Sequence, residues 1–227
     1  KSRVIFLMHK TVDNLILIEN TLKEKLNNTN IPKVIAVSKT FPLTEVLPLI
    51  NHGHEHFGEN KVQEAVEKWS NIKDDFNNIK LHMIGGLQTN KVKYAVPLFD
   101  YIHSLDSLKL AEKISNEQKK IKKTLKIFIQ VNIGKEIQKS GIEIEYLEEF
   151  YKICTTKLDL NIIGLMCLPP KNNINLEYFK EMNKLCSKVG VKGLSMGMSN
   201  DYIEASKEGS TFVRIGSNIF GERTKIS

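Results

Sequence analysis

Hydrophobic and polar positions alternate between two rhythms along this chain. Residues 10–27 (KTVDNLILIENTLKEKLN) carry apolar side chains at helical spacing, which predicts an N-terminal helix. The short apolar run at 33–38 (KVIAVS) predicts a buried strand, and 43–52 a helix stopped by Gly53. The same alternation then repeats to the end of the chain. Strands are expected at 54–57, 80–84, 101–105, 125–132, 160–168, 193–196 and 211–215. Helices are expected at 61–69, 89–96, 107–122, 143–157, 176–189 and 202–207.

Strands that alternate with helices pair in parallel, because each crossover needs a helix's length of chain. Eight such units after one extra helix fit a small closed barrel, with a doubly wound open sheet as the alternative. The expected fold is therefore α/β: a single (β/α)8 TIM-type barrel with an extra N-terminal helix, in one domain spanning 1–227. A barrel of this class runs to about 250 residues, close to the 227 present. The stretch 171–175 (KNNIN) reads as a polar, mobile loop.

Composition narrows the class. With 41% hydrophobic and 26% charged residues, the chain can bury a substantial core. No apolar run approaches the roughly 20 residues that span a bilayer, and the start lacks a signal-peptide pattern. No membrane partner is expected, and the expected location is the cytoplasm. The three cysteines, Cys154, Cys167 and Cys186, are odd in number and far apart, which argues against a disulfide framework or a Cys-x-x-Cys metal site.

The net charge of +7 would suit an anionic partner. Its lysines are dispersed, however, and the densest run, 119–123, closes a predicted helix where cations favour the negative dipole end. No nucleic-acid partner is expected. Only Arg3, Arg214 and Arg223 are arginine, so a guanidinium inside the apolar run TFVRI implies a use for its planar fork.

Barrel chemistry gathers where strands end. The first strand ends at Ser38-Lys39-Thr40, placing an amine at the mouth, where it can attack an aldehyde once its charge is lost. The second ends at Gly58-Glu59-Asn60, and from spacing alone Glu59 and Asn60 read as caps of the following helix. His82 lies within a strand and reads as a hydrogen-bonded core residue rather than a catalytic one. The last two strands run into Met198-Ser199-Asn200 and Gly216-Ser217-Asn218, small and hydroxyl residues of the kind that cradle phosphate after strands seven and eight of a barrel. Ordinary Ser/Asn capping is the alternative.

Seven blocks carry a resemblance: AVSKT (36–40), FGEN (57–60), HMIGGLQTNK (82–91), IQVNI with KSGI (129–142), GLMCLP (164–169), LSMGMSND (194–201) and VRIGSNIFGER (213–223). In this order they resemble the pyridoxal phosphate homeostasis proteins, small barrels related to the N-terminal domain of alanine racemase. The chain departs from the family at 78–81, where an aromatic is frequent before His82, and at Gly86, where a larger residue is common.

The resemblance implies a cofactor, pyridoxal 5′-phosphate (PLP), held as an imine by Lys39. It implies phosphate binding by Ser199, Gly216 and Ser217 with Met198 beside them, Arg214 facing the pyridine nitrogen, and Asn60 on the cofactor's side. It further implies a PLP carrier or reservoir without robust catalysis, able to supply PLP-dependent apo-enzymes, and a monomer or weak dimer.

Two points support that reading. Arginine gives up no proton to the ring nitrogen, so the ring withdraws electrons poorly. The second base of alanine racemases comes from a further, β-rich domain, and no such domain is expected here. A weak amino-acid racemase or other PLP enzyme is the alternative, and a Schiff-base aldolase a third class.

Overall fold

Eight strands pair in chain order, each parallel to the next, and the last returns to the first. They are β1 (Lys33–Val37), β2 (His56–Glu59), β3 (Lys80–Met83), β4 (Tyr101–Leu105), β5 (Lys126–Val131), β6 (Ile162–Cys167), β7 (Gly193–Met198) and β8 (Phe212–Ile215). The computed structural model describes residues 8–136, 140–170 and 176–222. The loop 171–175 and Arg223, both singled out above, lie outside the described residues.

Closure decides between the two sheets the alternation allowed. Lys33 pairs with Phe212, Val34 with Val213, Ile35 with Arg214 and Ala36 with Ile215. An open doubly wound sheet has no such seam.

The helices are α1 (Lys10–Lys25), α2 (Leu43–Asn51), α3 (Val62–Trp69), α4 (Val92–Leu98), α5 (Leu108–Ile121), α6 (Leu147–Lys152), α7 (Leu176–Val189), α8 (Tyr202–Lys207) and α9 (Ser217–Phe220). Helix α1 buries Val12, Leu15, Ile18 and Leu22, the stripe its spacing predicts. Asn14 ties it to the far end of the chain by donating to the Ile219 carbonyl at 2.8 Å. Lys119 and Lys120 stand in the last turn of α5, as the basic run implied.

Burial follows strand alternation. Val34, Ala36, Val213 and Ile215 join the large apolar layer between barrel and helices. Ile35, Tyr101, Phe128, Met166 and Phe212 form a separate cluster on the opposite, inward faces.

Most boundaries move by one to three residues from expectation, and α6 covers only Leu147–Lys152 of the expected 143–157. Three differences bear on the barrel. Strand β2 lies two residues later than 54–57, because pairing with β3 sets His56 against Lys80 and Glu59 against Met83. Strand β7 runs on to Met198, and the four-residue α9 has no counterpart in the sequence pattern. Four residues are too few to display a helical period.

Candidate binding site at the barrel mouth

Positions along β1 alternate inward and outward, so Ile35, Val37 and Lys39 share one side of the strand line. Lys39 is half-buried and lines a cavity of about 1140 Å³ at the C-terminal mouth. On β8 the matching series is Phe212, Arg214 and Gly216. Asn60, Met198, Ser199 and Ser217 complete the seven residues singled out from the sequence, and all seven line this one cavity.

The loops that carry them are pinned from below. After β1, the Ser38 hydroxyl donates to Glu59 Oε1 at 2.8 Å. The same oxygen accepts from Lys68 Nζ at 2.9 Å and from Trp69 Nε1 at 3.0 Å. Lys68 also donates to the Ser38 carbonyl at 2.7 Å. A carboxylate fully buried beneath the Lys39 turn thus gathers three donors, one of them the Lys68 cation, on Oε1, the pairing a buried charge needs, while its Oε2 is buried without a hydrogen-bond partner.

The capping reading of Glu59 and Asn60 is corrected by this geometry. Helix α3 starts at Val62, its N-cap is Lys61, and no side chain caps it. Glu59 ends a strand rather than preceding a helix. Asn60 lines the cavity with its Oδ1 buried and lacking a hydrogen-bond partner. An unpaired buried acceptor costs about 1–3 kcal/mol, and a donor on a ligand would relieve it. A Cβ on Gly85 would overlap the Asn60 backbone, so the loop after β3 approaches this residue as only glycine permits.

Opposite chemistry lies after β7 and β8. Gly197 has φ +91°, and a Cβ there would stand 2.7 Å from that of Ala205. Its left-handed turn accompanies a register shift, from Ser195 opposite Phe212 to Met198 opposite Arg214. Asp201 closes the following turn, its Oδ1 accepting from Met198 N–H at 2.5 Å. The Ser217 and Ser199 hydroxyls lie 3.1 Å apart, and Asn218 Nδ2 donates to the Ser199 carbonyl at 3.0 Å. Two adjacent loops therefore present a pair of hydroxyl groups to the cavity, a feature suited to a phosphate.

Arg214 is 4% exposed. Its Nη1 donates to the Ser195 carbonyl at 2.6 Å and to Ser195 Oγ at 2.7 Å, and Nη2 to the Cys167 carbonyl at 2.9 Å. Three of five N–H groups are used in this way, and burial lowers its pKa from the ordinary arginine value. The three cysteine thiols are free and buried. Burial pushes Cys154 and Cys167 up to about 12 and Cys186 to about 11, which makes them poor nucleophiles. His82 is buried and hydrogen-bonded to two other histidines, as a core residue should be.

Comparison with known proteins gives the family. Residues 17–224 match the family described as "Alanine racemase, N-terminal domain". The "Pyridoxal phosphate homeostasis protein" of Haemophilus influenzae is 38% identical over 216 residues, 91% of each chain. The chain belongs to the pyridoxal phosphate homeostasis proteins. The Aquifex aeolicus member of this family is also 38% identical, over 86% of this chain and 88% of its own. Among solved structures, PipY of Synechococcus elongatus PCC7942 superposes with a TM-score of 0.84 without PLP and 0.83 "with PLP bound", at 29% identity. These matches cover 94% and 93% of this chain and all of PipY. Alanine racemase of Clostridium difficile shares the fold at 16% identity, with a TM-score of 0.72 over 96% of this chain and 58% of its own.

Sequence reasoning missed the Glu59–Lys68–Trp69 anchor and the cavity-lining Gln130 and Asn132 of the β5 end. The available signal for the first was a carboxylate inside the apolar run HFGE. Its partners lie nine and ten residues on, and helical spacing hides them.

Proposed function

We propose that the chain is a carrier or reservoir of pyridoxal 5′-phosphate: one barrel, monomeric or weakly dimeric, working in the cytoplasm. The observation that carries this is the convergence of Lys39, Asn60, Arg214 and the Ser199–Ser217 hydroxyl pair on one cavity. The Lys39 amine condenses with the cofactor's aldehyde, and one water leaves. Ser199, Ser217 and Gly216, with Met198 beside them, receive the phosphate. Asn60 Oδ1 gains the donor it lacks.

Arg214 faces the ring nitrogen. A guanidinium donates a hydrogen bond there and withholds its proton, so the ring is a weak electron sink. That suits storage and release better than turnover at an amino acid's Cα. Supply of the cofactor to PLP-dependent apo-enzymes follows from the same weak commitment. The relatives' shared name supports a homeostatic role, and the PLP-bound PipY structure supports the ligand. Among the described residues, no helix is long and apolar enough to cross a membrane.

The test is borohydride reduction of the PLP-loaded chain followed by peptide mass spectrometry. The label is expected on Lys39 and is expected to vanish in Lys39→Ala. A label on another lysine overturns the site. Enzyme-like exchange of the Cα proton of L-amino acids in D₂O overturns the carrier reading and favours a racemase or other PLP enzyme.

A further inference from the structure

Beneath Arg214 a line of hydrogen bonds descends through the barrel and joins five strands. The guanidinium donates to Ser195 Oγ at 2.7 Å. Ser195 Oγ lies 2.8 Å from His103 Nδ1, His103 Nε2 lies 2.9 Å from His82 Nδ1, and His82 Nε2 lies 2.9 Å from His56 Nδ1. Ser195, His103 and His82 are 0% exposed and His56 is 7% exposed.

The direction of every proton in this line follows from its upper end. Arginine can only donate, so Ser195 Oγ accepts from it. If His103 Nδ1 also donated, the buried Ser195 hydroxyl proton would have no acceptor, at a cost of about 1–3 kcal/mol. Ser195 therefore donates to His103 Nδ1. A neutral His103 then carries its proton on Nε2 and donates to His82 Nδ1. The same step repeats to His56, whose Nε2–H points away from the chain.

Charges act on both ends. Arg214 stands above, with Asp201 and the Cys167 thiol near it. Lys33, Lys80, Lys126 and His54 act on His56 below. The lysines favour the opposite polarity, with a lone pair facing them. Lys33 and Lys126 are exposed and Lys80 partly so, so water screens them. Arg214 is in direct contact inside the barrel and prevails. Burial is the main cause that lowers all three histidine pKa values, His56 to about 4, so the rings are neutral as the chain requires.

We propose that Ser195, His103, His82 and His56 are positioning residues for the mouth, a line of neutral imidazoles locked in one shared Nε2–H tautomer that disperses the charge of Arg214 and fixes its guanidinium. The guanidinium's oxygen neighbours are two carbonyls and one hydroxyl. Each imidazole turns its lone-pair side toward the cation, and hydrogen bonds aligned in series polarise one another. The step from Arg214 to the cofactor's ring nitrogen rests on the proposed PLP reading; the tautomer lock does not.

The experiment is long-range ¹⁵N–¹H NMR of the histidine rings in the full chain at neutral pH, with and without PLP. His56, His82 and His103 are expected as neutral Nε2–H rings. An Nδ1–H ring or an imidazolium at His82 or His103 overturns the proposal. In Ser195→Ala the link to Arg214 is gone, and His103 is expected to populate both tautomers. A His103 that remains wholly Nε2–H there overturns the coupling. The bound chromophore's absorption is expected to shift in Ser195→Ala, and an identical spectrum overturns the positioning role. A chain that binds no PLP refutes the reading of the mouth, while the ring tautomers still decide the chain below it.

Discussion

The two ends of the barrel interior are built on different rules. The lower end is filled with rings: Phe212 packs edge-on to Tyr101 and Phe128, and His82 stacks on Tyr101 at 4.2 Å between centroids. The upper end is lined by an amine, amides, hydroxyls and glycines around open space. Along β8 and one residue beyond it the change takes five residues, from Phe212 through Arg214 to Gly216. The difference separates stability from recognition. Substitutions below should unfold the barrel, and substitutions above should spare the fold and weaken the ligand.

The largest expected effect lies below. Phe212→Ala removes a ring that meets five others, and should cost about 3–5 kcal/mol in a urea titration. A loss under about 1 kcal/mol would mean the lower end is not a packed core.

Glu59→Ala sharpens the boundary between the two ends. It leaves Lys68, Ser38 and Trp69 facing a buried void and should cost about 3–5 kcal/mol. Because the anchor sits under the Lys39 turn, covalent cofactor loading should fall as well. Stability lost with loading unchanged would detach the anchor from the site.

Acid should act through the lower end. The His56 pKa falls from 6.5 to about 4 on folding, so the unfolded chain binds the extra proton between those values. Its contribution is complete above pH 6.5 and is lost as pH drops toward about 4, at up to about 1.4 kcal/mol per pH unit. His82 and His103 titrate in the same direction. Urea midpoints that stay flat between pH 7 and 5 would contradict neutral buried rings.

The smallest effect on stability belongs to the mouth. Ser217→Ala is exposed and should move the unfolding free energy by no more than about 0.5 kcal/mol. Loss of a hydrogen bond to a charged phosphate should weaken PLP binding by about 1.5–3 kcal/mol in titration. Unchanged affinity would place the phosphate elsewhere.

Much of this architecture was legible from one strand or helix at a time. The apolar run around Ile35 and Val37 fixed β1 and put Lys39 at its upper end. The stripe Val12, Leu15, Ile18, Leu22 fixed α1. Ser199 and Ser217 were legible as small polar residues ending the last two strands, and family resemblance attached the chemistry. Glu59 was misread as a cap because local spacing cannot reveal that its partners Ser38, Lys68 and Trp69 come from two other elements.

The sequence by itself determined the order, type and approximate length of the elements, since those follow from periodicities of 2 and 3.6 residues within a single segment. Tertiary structure alone decided the closure of β8 on β1, the two-residue placement of β2, and the line from Arg214 through Ser195 and three histidines to His56. Those features depend on which inward side chains meet across the barrel, between residues as far apart as His103 and Ser195. That meeting is set by strand register and closure, which no local pattern encodes.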